Sequence, residues 1–127
     1  GIQGDDGRIA SEADRKQLAK QTWSRENTIE QGEPYPHQVG AHKPNPWGVF
    51  DLAGNVNEWC QDRGGLGYWR NIEEITDPTG PENGGYRVTR GKSFFRPLNG
   101  MLWYSATHHR PTYRTFETGF RLVRTRR

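Results

Sequence analysis

The run Asn45-Pro46-Trp47-Gly48-Val49-Phe50-Asp51-Leu52-Ala53-Gly54-Asn55-Val56-Asn57-Glu58-Trp59 constrains this chain more than any other stretch. Pro46 and Gly48 punctuate its start, and Gly54-Asn55 marks a turn in its middle. Val49 to Leu52 and Val56 to Cys60 have the length and the β-branched or aromatic content of short strands. Asp51, Asn55 and Glu58 place three side-chain oxygens within eight residues around that turn. A turn also leaves backbone carbonyls without ladder partners, and carboxylate plus carbonyl oxygens around a tight bend suit a hard cation such as calcium. The same residues also fit a polar hairpin with solvated acids, so the residues by themselves leave both readings open.

A chain of 127 residues makes one domain and is short for two. Only 31% of it is hydrophobic, and five each of Trp, Tyr and Phe supply much of the area that can be buried. That balance predicts a loop-rich, aromatic-pinned domain and argues against a helical bundle. No apolar run is long enough to span a membrane. No basic and apolar leader pattern is legible in the first residues. Cys60 is the one cysteine, which excludes an internal disulfide and leaves the compartment open.

Charge is unevenly distributed. Residues 1–85 carry eight Lys/Arg and fourteen Asp/Glu, whereas residues 86–127 carry ten Lys/Arg and the single acid Glu117. Two halves that face each other would explain this, and so would an anionic partner. The arginines come without a nucleic-acid-binding motif, so nucleic acid is not the expected partner.

Along the chain, residues 1–21 read as a polar N-terminal segment. Ser11 caps a short helix from about 12 to 21. Thr22 to Pro46 reads as a long surface loop. His37 and His42 lie five apart in it, a spacing that outside a helix puts nothing on one face, so no metal role is expected of them. Residues 61–85 read as a second Gly/Pro-rich excursion. Further strands are expected at Tyr86 to Arg90, at Leu102 to Thr107 and at Gly119 to Arg124, with a turn and the start of another strand over Gly91 to Phe95 and a loop over His108 to Thr118.

Three segments together resemble the sulfatase-modifying-factor family, whose best-known member is the formylglycine-generating enzyme. They are the 45–59 run, Tyr-Arg-Val-Thr-Arg-Gly-Lys-Ser-Phe at 86–94 and Gly-Phe-Arg-Leu-Val at 119–123. The resemblance covers roughly residues 22–124. It implies a loop-rich α+β variant of the C-type lectin fold, with short antiparallel strands and few helices. It also implies a structural calcium ion held by the side chains of Asp51 and Glu58 and the carbonyls of Gly54 and Val56. The two copper-holding cysteines of the family would fall three and eight residues after Ser93, where this chain has Arg96 and Met101. No copper and no formylglycine chemistry are therefore expected.

The family's domains are about twice this length, which implies a fragment, a compact version or a chain completed by a second one. The expected function is a non-catalytic binding or assembly module that recognises a protein or another ligand through the 94–118 region. Its candidate contacts are Arg96, Tyr104, His108, His109, Arg110, Tyr113, Arg114 and Phe116. Trp103 and Phe120 are expected in the core, and Pro111, Tyr113 and Arg114 at the surface. Three alternatives stand beside this. One is a structural subunit of a larger complex. Another is a variable binding protein of the diversity-generating-retroelement type, which uses the same fold. The third is part of an enzyme with altered chemistry, in which His108, His109 and Glu117 supply acid–base groups.

Overall fold

A computed structural model of the chain describes residues 11–65, 80–101 and 105–124. Helix α1 spans Glu12–Ala19, with the Ser11 hydroxyl accepting from the Asp14 backbone N–H at 3.1 Å and acids in its first turn. Its apolar stripe is thin, and Leu18 is its buried residue. Leu18 packs with Leu98 and Met101, which fixes the helix against a single 3₁₀ turn at Leu98–Gly100.

Among the described residues the sheet has four short strands in the order β3-β2-β1-β4, where β1 is Asn57–Gly64, β2 is Tyr86–Arg90, β3 is Ala106–His109 and β4 is Thr118–Phe120. β1 and β2 are antiparallel, as are β2 and β3, but β4 runs parallel to β1. The sheet is thus mixed rather than wholly antiparallel. Between Trp59 and Arg63 the register slips, so that four steps along β1 match two along β2. Such a bulge increases local twist and re-aims side chains.

Several expectations need correction. Val49 to Leu52 is not a strand: residues 50–56 form a continuous series of bends. Asp51, Gly54 and Asn55 there all have left-handed backbone, a conformation that Asp, Asn and Gly tolerate and that cannot continue a strand. Phe94 and Phe95 form a turn, not a strand start, and β4 ends at Phe120. β1 continues past Cys60 to Gly64. His108 and His109 lie in β3, not in a loop, because Val88 and Arg87 pair with them. The expected strand residues Leu102 to Tyr104, with Trp103, lie outside the described residues.

Among the described residues the core is less aromatic than composition suggests. Val88, Phe94, Leu98 and Met101 are buried, yet Phe120 is 73% exposed on edge strand β4, which overturns its expected core position. Buried hydroxyls fill much of the remaining space: Thr22, Ser24, Thr28, Thr89 and Ser93 are all inaccessible. They are inside because irregular chain brings its carbonyls inside too, and those need donors. The Thr22 hydroxyl donates to the Ala53 carbonyl. The Thr28 hydroxyl donates to the Ser24 carbonyl at 2.8 Å and approaches that of Phe94 at 3.3 Å. The 22–46 segment is accordingly fastened to the bend at one point and to the 93–96 turn at another.

Candidate functional site

The bend is built by side chains that close on the preceding loop. Asn55 accepts from the His37 backbone N–H at 2.9 Å and donates to the His37 carbonyl at 3.0 Å, while its own N–H reaches the Trp23 carbonyl at 3.0 Å. Asn55 is therefore a staple between two loops and its amide oxygen is already used. Gly54 donates to the Gly91 carbonyl at 2.8 Å. It is packed so tightly that a Cβ there would collide with the Thr22 hydroxyl and the Trp23 carbonyl.

Asp51 is buried, and its Oδ2 accepts from the Gly40 N–H at 2.6 Å while Oδ1 has no hydrogen-bond partner. Glu58 faces Arg121, which donates from Nε at 2.8 Å and from Nη2 at 2.5 Å, and Nη2 also reaches the Phe50 carbonyl at 2.8 Å. The Glu58 hydrogen bond raises the Arg121 pKa against the effect of burial, with the charges of Glu58 and Asp51 adding to it. One cation, Arg121, thus already lies within the field of both carboxylates of the bend.

The second candidate region lies across the sheet. On β2 and β3, the Thr89 and Thr107 hydroxyls share a hydrogen bond of 2.6 Å, and Thr107 lies 3.3 Å from His109 Nε2. The His109 ring stacks on Tyr113 with centroids 4.2 Å apart and planes 7° apart, and Trp59 meets it edge-on. The stack folds the 110–113 turn back over β3, held by the Tyr113 N–H to the Arg110 carbonyl at 2.9 Å. Tyr113 stays 43% exposed and Phe116 61%, and Arg110, Pro111 and Arg114 are exposed beside them. Phe116 packs edge-on against Phe95, and the Glu117 carboxylate accepts from the Ser93 hydroxyl, which ties this surface to the 93–96 turn. Arg96 is exposed at the end of that turn.

Of the expected contact residues, Tyr113 stacks on His109 and Phe116 packs on Phe95 beside the exposed Arg96, Arg110 and Arg114 are exposed in the connecting segment, and Tyr104 lies outside the described residues. His108 points its Nδ1 to an inaccessible position without a hydrogen-bond partner, next to Gly64. Among the described residues, none of His108, His109 and Glu117 hydrogen-bonds another, so no acid–base pair is assembled. Burial raises the Cys60 pKa despite the nearby Arg90, which keeps the sulfur a thiol rather than a nucleophilic thiolate. Met101, at one position where the resemblance would place a copper cysteine, is a core residue.

Sequence reasoning missed two features. His37 and His42 do share a neighbour: both rings pack on Trp23, one stacked at 4.0 Å and the other edge-on at 4.3 Å. It also missed Lys92, which adopts left-handed backbone (φ 61°) after Gly91. Nothing local in the sequence signals either one.

The family model of the Sulfatase-modifying factor enzyme 1-like domain matches residues 4–126, a span that takes in α1. The formylglycine-generating enzyme of Thermomonospora curvata is 36% identical over 100 residues, covering 75% of this chain and 33% of that protein. Serine/threonine-protein kinase pkn1 of Chlamydia pneumoniae is 48% identical over 54 residues, 42% of this chain and 9% of that protein. Among solved structures, Treponema denticola variable protein 1 superposes with a TM-score of 0.68 at 28% identity, covering 94% of this chain and 41% of its own. The chain therefore spans a third or less of these two curated relatives. The three sequence segments, the loop-rich α+β fold and a family match over nearly the whole chain lead to one conclusion: the chain belongs to the sulfatase-modifying-factor family of domains.

Proposed function

We propose that this chain is a non-catalytic binding module on the sulfatase-modifying-factor scaffold, recognising a protein ligand through the face of His109, Arg110, Tyr113, Arg114 and Phe116. The observation that carries the reading is the rigid exposed stack of Tyr113 on His109, flanked by exposed Phe116 and two exposed arginines. Rigid aromatics and arginines give large contact area at small entropic cost, which is the composition of binding hot spots. The likeness to Treponema denticola variable protein 1 supports a binding-type scaffold. The test is to pan a displayed random-peptide library on the immobilised chain and measure the enriched peptides against wild type and Tyr113→Ala. A loss of about tenfold or more in the variant is expected of a hot-spot aromatic. Failure to enrich any peptide, or equal binding by the variant, would overturn the reading. In the same preparation, copper and a cysteine-bearing sulfatase peptide should give no formylglycine. Conversion would reinstate the enzyme.

A second reading concerns the bend. Calcium would be held there by Asp51 and the carbonyls of Gly54 and Val56, with Glu58 sharing its carboxylate between the ion and Arg121. The support is the buried Asp51 Oδ1, which has no hydrogen-bond donor among the described residues. A bound ion would supply charge balance and rigidity to the bend, not chemistry.

A further inference from the structure

Among the described cations, Arg15, Arg25 and Arg121 each pair with a carboxylate, to Glu26, Glu30 and Glu58 respectively. Lys92 and Arg96, like most other described cations, pair with no carboxylate among the described residues, and what sets them apart is that they flank the turn that follows β2. The Arg96 N–H closes that turn on the Ser93 carbonyl at 3.0 Å, so the two residues flank one closed turn. Lys92 is half-buried and held in left-handed backbone, a conformation that glycine would adopt freely and lysine adopts at a cost. Burial and the charge of Arg96 together lower the Lys92 pKa. Two cations that flank one closed turn, one of them half-buried and in left-handed backbone, with Glu117 committed to the Ser93 hydroxyl, offer an anion two charged donors. Beside them, Phe95 and the exposed Phe116 pack edge-on with centroids 5.5 Å apart, offering an apolar ledge next to the charge.

We infer that Lys92 and Arg96 form the anion-binding end of the ligand face, and that the partner is a peptide segment carrying an acidic side chain next to an aromatic one. This rests on the binding reading above and specifies its ligand. A nucleic acid is the weaker fit, because the phosphate backbone calls for a continuous cationic stripe. Here Glu117 interrupts the surface, bonded to Ser93.

The test uses a fluorescein-labelled Glu-Glu-Tyr-Glu-Glu peptide, with Gln-Gln-Tyr-Gln-Gln and oligothymidine as comparison probes, read by fluorescence anisotropy at low and high salt. Wild type should bind the acidic peptide saturably, lose affinity at high salt and ignore the glutamine peptide. Arg96→Glu should weaken binding by about tenfold, in line with loss of a charge-assisted contact. Lys92→Gly should weaken binding while raising the melting temperature, a combination that a purely structural lysine would not give. The Lys92 ammonium, followed by nitrogen-detected NMR, should titrate higher with the peptide bound. No saturable binding, equal binding by Arg96→Glu, or tighter binding of oligothymidine would each overturn the inference. A library-derived ligand that is lost with Tyr113→Ala but indifferent to Arg96→Glu sinks this inference and leaves the proposed function standing.

Discussion

Gly54 shows how much a single position can carry. Its φ of +84° already disfavours any side chain, and a Cβ would meet the Thr22 hydroxyl and the Trp23 backbone. Gly54→Ala should therefore cost about 2–4 kcal/mol, strain and overpacking combined, measured as a shift in urea midpoint at unchanged slope. Arg121 is a second such residue, because it satisfies Glu58 and the Phe50 carbonyl together. Arg121→Ala should destabilise by about 1–3 kcal/mol, since a charged hydrogen-bond partner is left without its donor. Because that pair is partly exposed, the loss should shrink at high salt. If Arg121→Ala and Glu58→Gln were additive in a double-mutant cycle, the pair would have no coupling and its structural role would fall.

At the scale of elements, the fold is held by side chains that bridge irregular segments rather than by long ladders. Asn55 grips both backbone groups of His37, so Asn55→Ala should free the loop of residues 35–42. Faster amide exchange confined to that loop is the expected signature, and unchanged protection would remove the staple argument. Glu26 plays the same part for the other side of the domain, its two carboxylate oxygens accepting from the Leu98 N–H at 3.0 Å. Burial pushes the Glu26 carboxyl up, but the Leu98 and Glu26 backbone N–H groups, the Ser24 hydroxyl and Arg15 outweigh it and leave it below the ordinary glutamate range. A depressed carboxylate contributes stability above its unfolded pKa and loses it as pH falls through the folded value. Glu26→Gln should therefore lower stability near neutrality and flatten its decline on acidification. A variant with an acid limb as steep as wild type would show that Glu26 does not drive that decline.

For the whole molecule, the calcium reading predicts a melt that moves upward with calcium and back with chelator in wild type, and does neither in Asp51→Asn. A wild-type melt indifferent to both would remove the ion from the bend.

Local chemistry made α1 legible, since a Ser11 cap and first-turn acids are sufficient signals. It also made β2 legible through its alternation, and the Gly54-Asn55 turn through the conformations those residues tolerate. The three segments of family resemblance likewise stood in the sequence by itself, and with them the loop-rich α+β fold. What only tertiary structure decided was what each polar or aromatic residue does. Thr22, Thr28 and Ser93 are buried because distant carbonyls and a distant carboxylate need their hydroxyls. Phe120 is 73% exposed because β4 is an edge strand with no further strand beside it among the described residues, and Leu122, just past its end, is 89% exposed. Asn55 grips the loop at His37, and Lys92 and Arg96 flank a turn, because chain closure brings together residues whose spacing carries no periodic signal. Burial is a property of the closed chain, and in irregular chain no period of two or 3.6 residues announces it beforehand.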